Sequence, residues 1–182
     1  MKSMRLLALS GSLRKISYNT AAIKALQRLS PPKVKIQIGS IGELPLFNPD
    51  REGEHIPSLA KLVDALDESD GLIIASPEYA HGISGPMKNA LDWLVSGVEF
   101  PYKPILLINT SPRAFHAQEA LREVLLTMSG NIIEEAGVCI PLLSSDLDVD
   151  GIMDDLEIRH CLSKGLTRFC QAIEILQHDN PL

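Results

Sequence analysis

The sequence predicts an α/β protein with a doubly wound, five-stranded parallel sheet covered by helices on both faces. Short apolar runs alternate with amphipathic segments from one end of the 182-residue chain to the other, which implies strand–helix–strand crossovers and a parallel sheet. Three of the runs are nearly continuous Leu, Ile, Ala and Val, as strands covered on both faces require. With 45% hydrophobic and 22% charged residues, the chain has the composition of a folded domain with a full core.

The first strand is expected over residues 5–9, and after a polar turn a helix over 19–29 carries Ala22, Leu26 and Leu29 at helical spacing. In residues 34–38, Val34, Ile36 and Ile38 alternate with Lys35 and Gln37, which suits an edge strand wet on one side. Residues 39–55, containing LPLFNPDREGEH, are the longest irregular stretch, and such loops in compact domains are often functional. A helix over 58–66 follows, with Pro57 where a helix start tolerates it. Then come a strand over 71–75, a helix over 86–94, a strand over 105–109 and a helix over 116–128. A fifth strand over 136–140 and a last helix from about 153 to 176 complete the pattern. No repeat, low-complexity tract or linker divides the chain, so one domain over 1–182 is expected.

Several function classes are disfavoured. A net charge of −6 argues against a general nucleic-acid binder. Cys139, Cys161 and Cys170 form no CxxC pair and show no zinc spacing, so they read as reduced thiols of a cytoplasmic protein. The N-terminal apolar run is too short for a signal-peptide core, and no run approaches the roughly 20 residues that span a bilayer. Residues 146–151, DLDVDG, superficially resemble a calcium loop but read as a solvated acidic turn. No G-x-S-x-G elbow supports a hydrolase.

In open α/β sheets, ligands lie beyond the carboxyl ends of the strands where strand order reverses. That rule gathers residues 10–20, 76–85 and 109–116 on one edge. The first of these loops offers donors from Ser12, Ser17, Asn19 and Thr20, a cation at Arg14 and a helix amino terminus, the elements of a phosphate site. It lacks a Gly-Lys-Ser/Thr ending and has a single glycine, so it is neither a P-loop nor a dinucleotide turn. A terminal monophosphate fits better than a pyrophosphate. The alternative is a capped helix, with Ser17 or Asn19 as N-cap and Arg14 in solvent. In the second loop, Gly82 and Gly85 allow a flat ligand close to the backbone. Tyr79 and His81 are placed to border a ring there, although His81 alone reads equally well as a solvated loop histidine. Trp93 and Leu94 read as core or as subunit interface.

GSLRKISYNTAA (residues 11–22) together with SPEYAHGISGPMKNALDWL (76–94) resembles the NADPH-dependent FMN reductase family, flavodoxin-like proteins that include quinone, chromate and azo-dye reductases. The family pattern, a Gly-Ser-x-Arg-x-x-Ser-x-Asn turn and a Pro-Glu-Tyr loop leading to Gly-x-x-Lys-Asn-x-x-Asp-Trp, occurs here in order, and the intervening LPLFNPD is similar too. By eye the similarity spans about residues 5–140. It implies a three-layer sandwich with strand order 2-1-3-4-5, in a single flavodoxin-like domain that holds FMN non-covalently. The FMN phosphate would lie on Ser12, Arg14, Ser17, Asn19 and Thr20, with Ser10 also among the cofactor contacts. The isoalloxazine would rest against Pro77, Glu78, Tyr79 and His81, with Ser111 beside the ring. The resemblance also implies homodimers or homotetramers, with Asp92 and Trp93 on the interface helix.

The third loop departs from that pattern. Where many members carry a glycine-rich run, this chain reads Pro112-Arg113-Ala114-Phe115-His116-Ala117. Pro112 removes a backbone donor. Arg113 either approaches the ring's carbonyl edge, binds the phosphate of the nicotinamide cofactor, or is solvated; Phe115 either covers the pocket or packs into the helix. The expected activity is that of an FMN-dependent NAD(P)H oxidoreductase passing hydride through flavin N5 to a small acceptor. A quinone, free flavin, azo compound or metal oxyanion would serve, and no side-chain nucleophile is needed. Neither nucleic acid nor membrane is an expected partner. The rival is a non-catalytic FMN-binding electron carrier or regulator. The low aromatic content of 4% favours the enzyme by leaving a flavin face free. A third reading puts a nucleotide, rather than FMN, on the phosphate loop.

Overall fold

The centre of the molecule is a parallel ladder of three apolar strands: β1 (Met4–Ser10), β3 (Gly71–Ala75) and β6 (Pro104–Asn109). This computed structural model describes residues 3–113 and 115–179; Met1, Lys2, residues 180–182 and the third loop's Ala114 lie outside them. Alternate residues of each central strand face opposite layers. Leu6, Ala8, Ile73, Ala75, Leu106 and Ile108 enter one core, and Leu7, Leu9, Leu72, Ile74, Ile105 and Leu107 the other. Burial on both faces is why these strands read as unbroken apolar runs.

β2 (Val34–Gly39) pairs with β1 at one edge, burying Val34 and Ile36 and leaving Lys35 and Gln37 in water as expected. On one face lie α1 (Tyr18–Leu29), α5 (Val149–Asp154) and α6 (Leu156–Asp179); on the other lie α2 (Pro57–Asp67), α3 (Gly85–Leu94) and α4 (Phe115–Thr127). With a fifth strand position opened by β7 (Asn131–Ile132), the sheet order is β2-β1-β3-β6-β7, the flavodoxin-like 2-1-3-4-5 order.

The fifth strand is not the continuous 136–140 segment expected. It is split into β7 (Asn131–Ile132) and β8 (Val138–Cys139), both on β6, by a 3₁₀ turn at Glu134–Ala136. α6 presses on this turn at Gly165, where a Cβ would lie 2.3 Å from Val138 Cγ2 and 2.9 Å from the Ala136 carbonyl oxygen. The last helix is likewise two. Asp148 caps α5 by accepting from Gly151 N, and the Asp155 carboxylate restarts the helix by accepting from Glu157 N and Ile158 N. Asp148 of the calcium-like stretch thus serves as a helix cap.

The long 39–55 loop is fastened to α3. Asn89 bridges Phe47 N and the Pro45 carbonyl, and Trp93 Nε1 donates to that same carbonyl at 2.8 Å. The Phe47 ring stands edge-on to Trp93. Trp93 is therefore a buried anchor. No helix among the described residues is long and apolar enough to cross a membrane.

Candidate functional site

Strand order reverses between β1 and β3, since the chain leaves β1 for β2 on one side and returns to β3 on the other. A cleft of about 280 Å³ opens above the carboxyl ends of these strands. All three loops singled out in the sequence meet there. Ser12, Arg14, Ser17 and Asn19 come from the first, Pro77, Glu78 and Tyr79 from the second, and Ser111 and Arg113 from the third.

The floor beneath the cleft is polar and fully paired. Among the described residues the buried polar side chains are Ser10, Ser12, Asn19, Ser76, Ser84, Thr110 and Ser69, and all but Ser69 lie at this edge. Ser10 Oγ and Thr20 Oγ1 share a hydrogen bond of 2.8 Å, and Ser10 Oγ also accepts from Ser12 N. Thr110 Oγ1 donates to Asn19 Oδ1 at 3.1 Å, joining the third loop to the first. Ser84 Oγ donates 2.7 Å to the Gly11 carbonyl and pairs with Ser76 Oγ, joining the second loop to the first. No described buried side-chain polar atom lacks a partner. A paired network of this kind rigidifies what sits above it.

Ser17 is the N-cap of α1, accepting from Thr20 N at 3.3 Å. The two readings of the first loop therefore merge: the helix is capped, and the loop still presents its hydroxyls and Arg14 to the cleft. Arg14 has no ion-pair partner among the described residues, nor has Arg113. The first-turn N–H groups of α1, without partners inside the helix, add positive potential. This end of the cleft suits an anion with several acceptor oxygens.

Not every residue singled out reaches the cleft wall. Ser10 and Thr20 brace the loop from behind. His81 sits at the tip of a hairpin that the sequence did not reveal, β4 (Glu78–Tyr79) with β5 (Gly82–Ile83). Its side chain is 77% exposed and stands edge-on to His116, 4.6 Å between ring centroids. It is absent from the cleft wall because its two-residue turn, Ala80 (φ 50°) and His81 (φ 59°), points it outward. Phe115 stacks on His116 and is also absent from the wall. Pro112 has no N–H, and the Ser111 N–H is already taken by Asn109 Oδ1 at 2.9 Å, so neither leaves a free backbone donor facing the cleft.

Tyr18, Ser76, Asn109, Thr110 and Leu143, which are not among the site residues expected from the sequence, also line the cleft. The first four lie within or beside the three loops. Leu143 follows β8, so the strand-end rule applied to the fifth strand would have found it.

The family model described as NADPH-dependent FMN reductase matches residues 4–142. The chain is 30% identical over 178 residues to an NAD(P)H-dependent FMN reductase of Pseudomonas aeruginosa, covering 94% of each. It is 38% identical over 176 residues to a quinone reductase of Pseudomonas putida, covering 91% of this chain and 92% of that protein. Among solved structures, the flavoenzyme NAD(P)H:(acceptor) oxidoreductase of Paracoccus denitrificans superposes with a TM-score of 0.83 at 28% identity. That superposition covers 94% of this chain and 97% of the other.

Proposed function

The chain belongs to the NADPH-dependent FMN reductase family, and from that premise we propose that its cleft holds FMN non-covalently, phosphate toward α1 and ring toward residues 77–79. The protein is an FMN-dependent NAD(P)H oxidoreductase of flavodoxin-like fold. The chemistry that FMN supplies when bound is two-electron, taking a hydride from NAD(P)H and giving it to an oxidised acceptor.

The observation that carries the residue assignment is the pairing pattern. No described buried hydroxyl or amide below the cleft lacks a partner, whereas the exposed Arg14 guanidinium beside the α1 amino terminus has no ion-pair partner among the described residues. Arg14, Ser12, Ser17 and Asn19 bind the phosphate, and Ser10 and Thr20 hold that loop in place. Pro77, Tyr79 and Ser111 border the ring. Arg113, the second unpaired cation on the wall, attracts anionic groups of the reductant or acceptor. An acceptor of the quinone class is supported by the relatives named quinone reductases. A homodimer or homotetramer is supported by Leu46 and Val98, 84% and 86% exposed beside the anchored 45–52 segment and the end of α3. The chain would work in the cytoplasm as one FMN-binding domain over 1–182.

The test is a titration of flavin-free protein with FMN, following flavin fluorescence. Arg14→Ala should weaken binding about 10- to 100-fold, the value of one charge-assisted hydrogen bond. Unchanged affinity would contradict the phosphate assignment.

A further inference from the structure

Glu78 lies on the cleft wall, but its carboxylate is already engaged elsewhere. Oε2 accepts from the backbone N–H of Ala117, in the first turn of α4, at 2.9 Å. Oε1 lies 3.3 Å from His81 Nδ1, and the side chain is only 14% exposed. An anion held at a helix amino terminus is doubly favoured, by the free N–H groups there and by the helix dipole. A second contact joins the same two elements, the edge-on pair of His81 on the hairpin and His116 on α4. The hairpin and the first turn of α4 are thus fastened at two points, one of them partly buried and charge-assisted.

What this fastening holds apart follows from the chain path. Residues 77–79 form one wall of the cleft, and Ser111 and Arg113, which lead into α4, form another. We propose that Glu78 is a positioning residue: it clamps the β4–β5 hairpin to α4 and so sets the spacing of the two walls between which the flavin ring binds. The assignment rests on reading the cleft as the FMN site, and it moves Glu78 from ring contact to scaffold. The strained left-handed turn at Ala80 and His81 belongs to the same device, because it swings His81 back onto Glu78 and His116.

The experiment compares wild type, Glu78→Gln and Glu78→Ala by two readouts: amide exchange at Ala117 in flavin-free protein, and the FMN dissociation constant. Glutamine keeps an oxygen that can accept from Ala117 N, so Glu78→Gln should stay within about threefold of wild type in both. Glu78→Ala should speed exchange at Ala117 at least about tenfold and weaken FMN by about the same factor. Unaltered exchange in Glu78→Ala overturns the clamp. So does Glu78→Gln losing as much FMN affinity as Glu78→Ala while Ala117 stays protected, since the charge would then be touching the ligand. Should Glu78→Ala not fold, Glu78→Asp takes its place, its shorter side chain falling short of Ala117, and wild-type values there overturn the proposal. If wild type binds no FMN, the cofactor reading fails while Ala117 exchange still decides the clamp.

Discussion

Gly11→Ala tests how tightly the first two loops are locked together. Gly11 is where β1 becomes the first loop; its N–H donates to the Ala75 carbonyl at 2.8 Å, and its own carbonyl accepts from Ser84 Oγ at 2.7 Å. A Cβ at this position would meet Ser76 Oγ at 2.5 Å, Ser84 Oγ at 2.8 Å and Ser76 Cβ at 3.0 Å. The methyl group must therefore displace both buried serines. Overpacking of this kind costs about 1–3 kcal/mol. If Ser84 also loses its bond to the Gly11 carbonyl, about 1 kcal/mol more is lost, for roughly 2–4 kcal/mol in all. Urea unfolding of flavin-free protein measures the loss, and Ser76→Gly, which removes the nearest atoms, should recover about 1 kcal/mol or more in the double variant. A Gly11→Ala protein within about 0.5 kcal/mol of wild type would show that the junction yields, and the rigid floor beneath the cleft would have to be abandoned.

Two further outcomes are expected. Ala80→Gly should stabilise the protein by about 1 kcal/mol, raising Tm by roughly 2–4 °C, because alanine holds a φ of 50° that glycine adopts freely; a lower Tm by calorimetry would show that the turn is unstrained. Burial pushes the Cys170 thiol up to about 11, whereas Cys139 and Cys161 are exposed, so a thiol reagent at neutral pH should label those two well before Cys170. Equal labelling rates would contradict the burial. The sign of the linkage follows: the fold favours the neutral thiol, so its contribution is intact below the ordinary pKa of 9.0 and is lost as pH rises from there toward about 11.

The middle of the fold was legible in the sequence because central strands are buried on both faces, and no other short element reads as an unbroken apolar run. Val34 to Ile38 announced an edge by alternation for the same reason in reverse. The broken fifth strand was not legible. Ala136, Val138 and Ile140 alternate with exposed neighbours as a paired strand would, and the turn that interrupts pairing depends on α6 approaching at Gly165, a contact remote in sequence. The β4–β5 hairpin was hidden because its turn is Ala80-His81, without the Asn or Gly that such turns usually carry. At the site, the strand-end rule brings the three loops to one edge, and the cleft lies there. Partners were beyond that rule's reach. Nothing in the motif around Glu78 tells that its carboxylate is taken by Ala117, or that Ser10 and Thr20 brace each other.

The most direct measurement is the absorbance spectrum of purified protein with added FMN, recorded before and after anaerobic NADPH. An FMN-dependent reductase gives a shifted flavin band that NADPH bleaches and that an added quinone restores. A bound flavin that neither NADPH nor NADH bleaches would contradict the reductase function, and a spectrum of free FMN would contradict the cleft as its site.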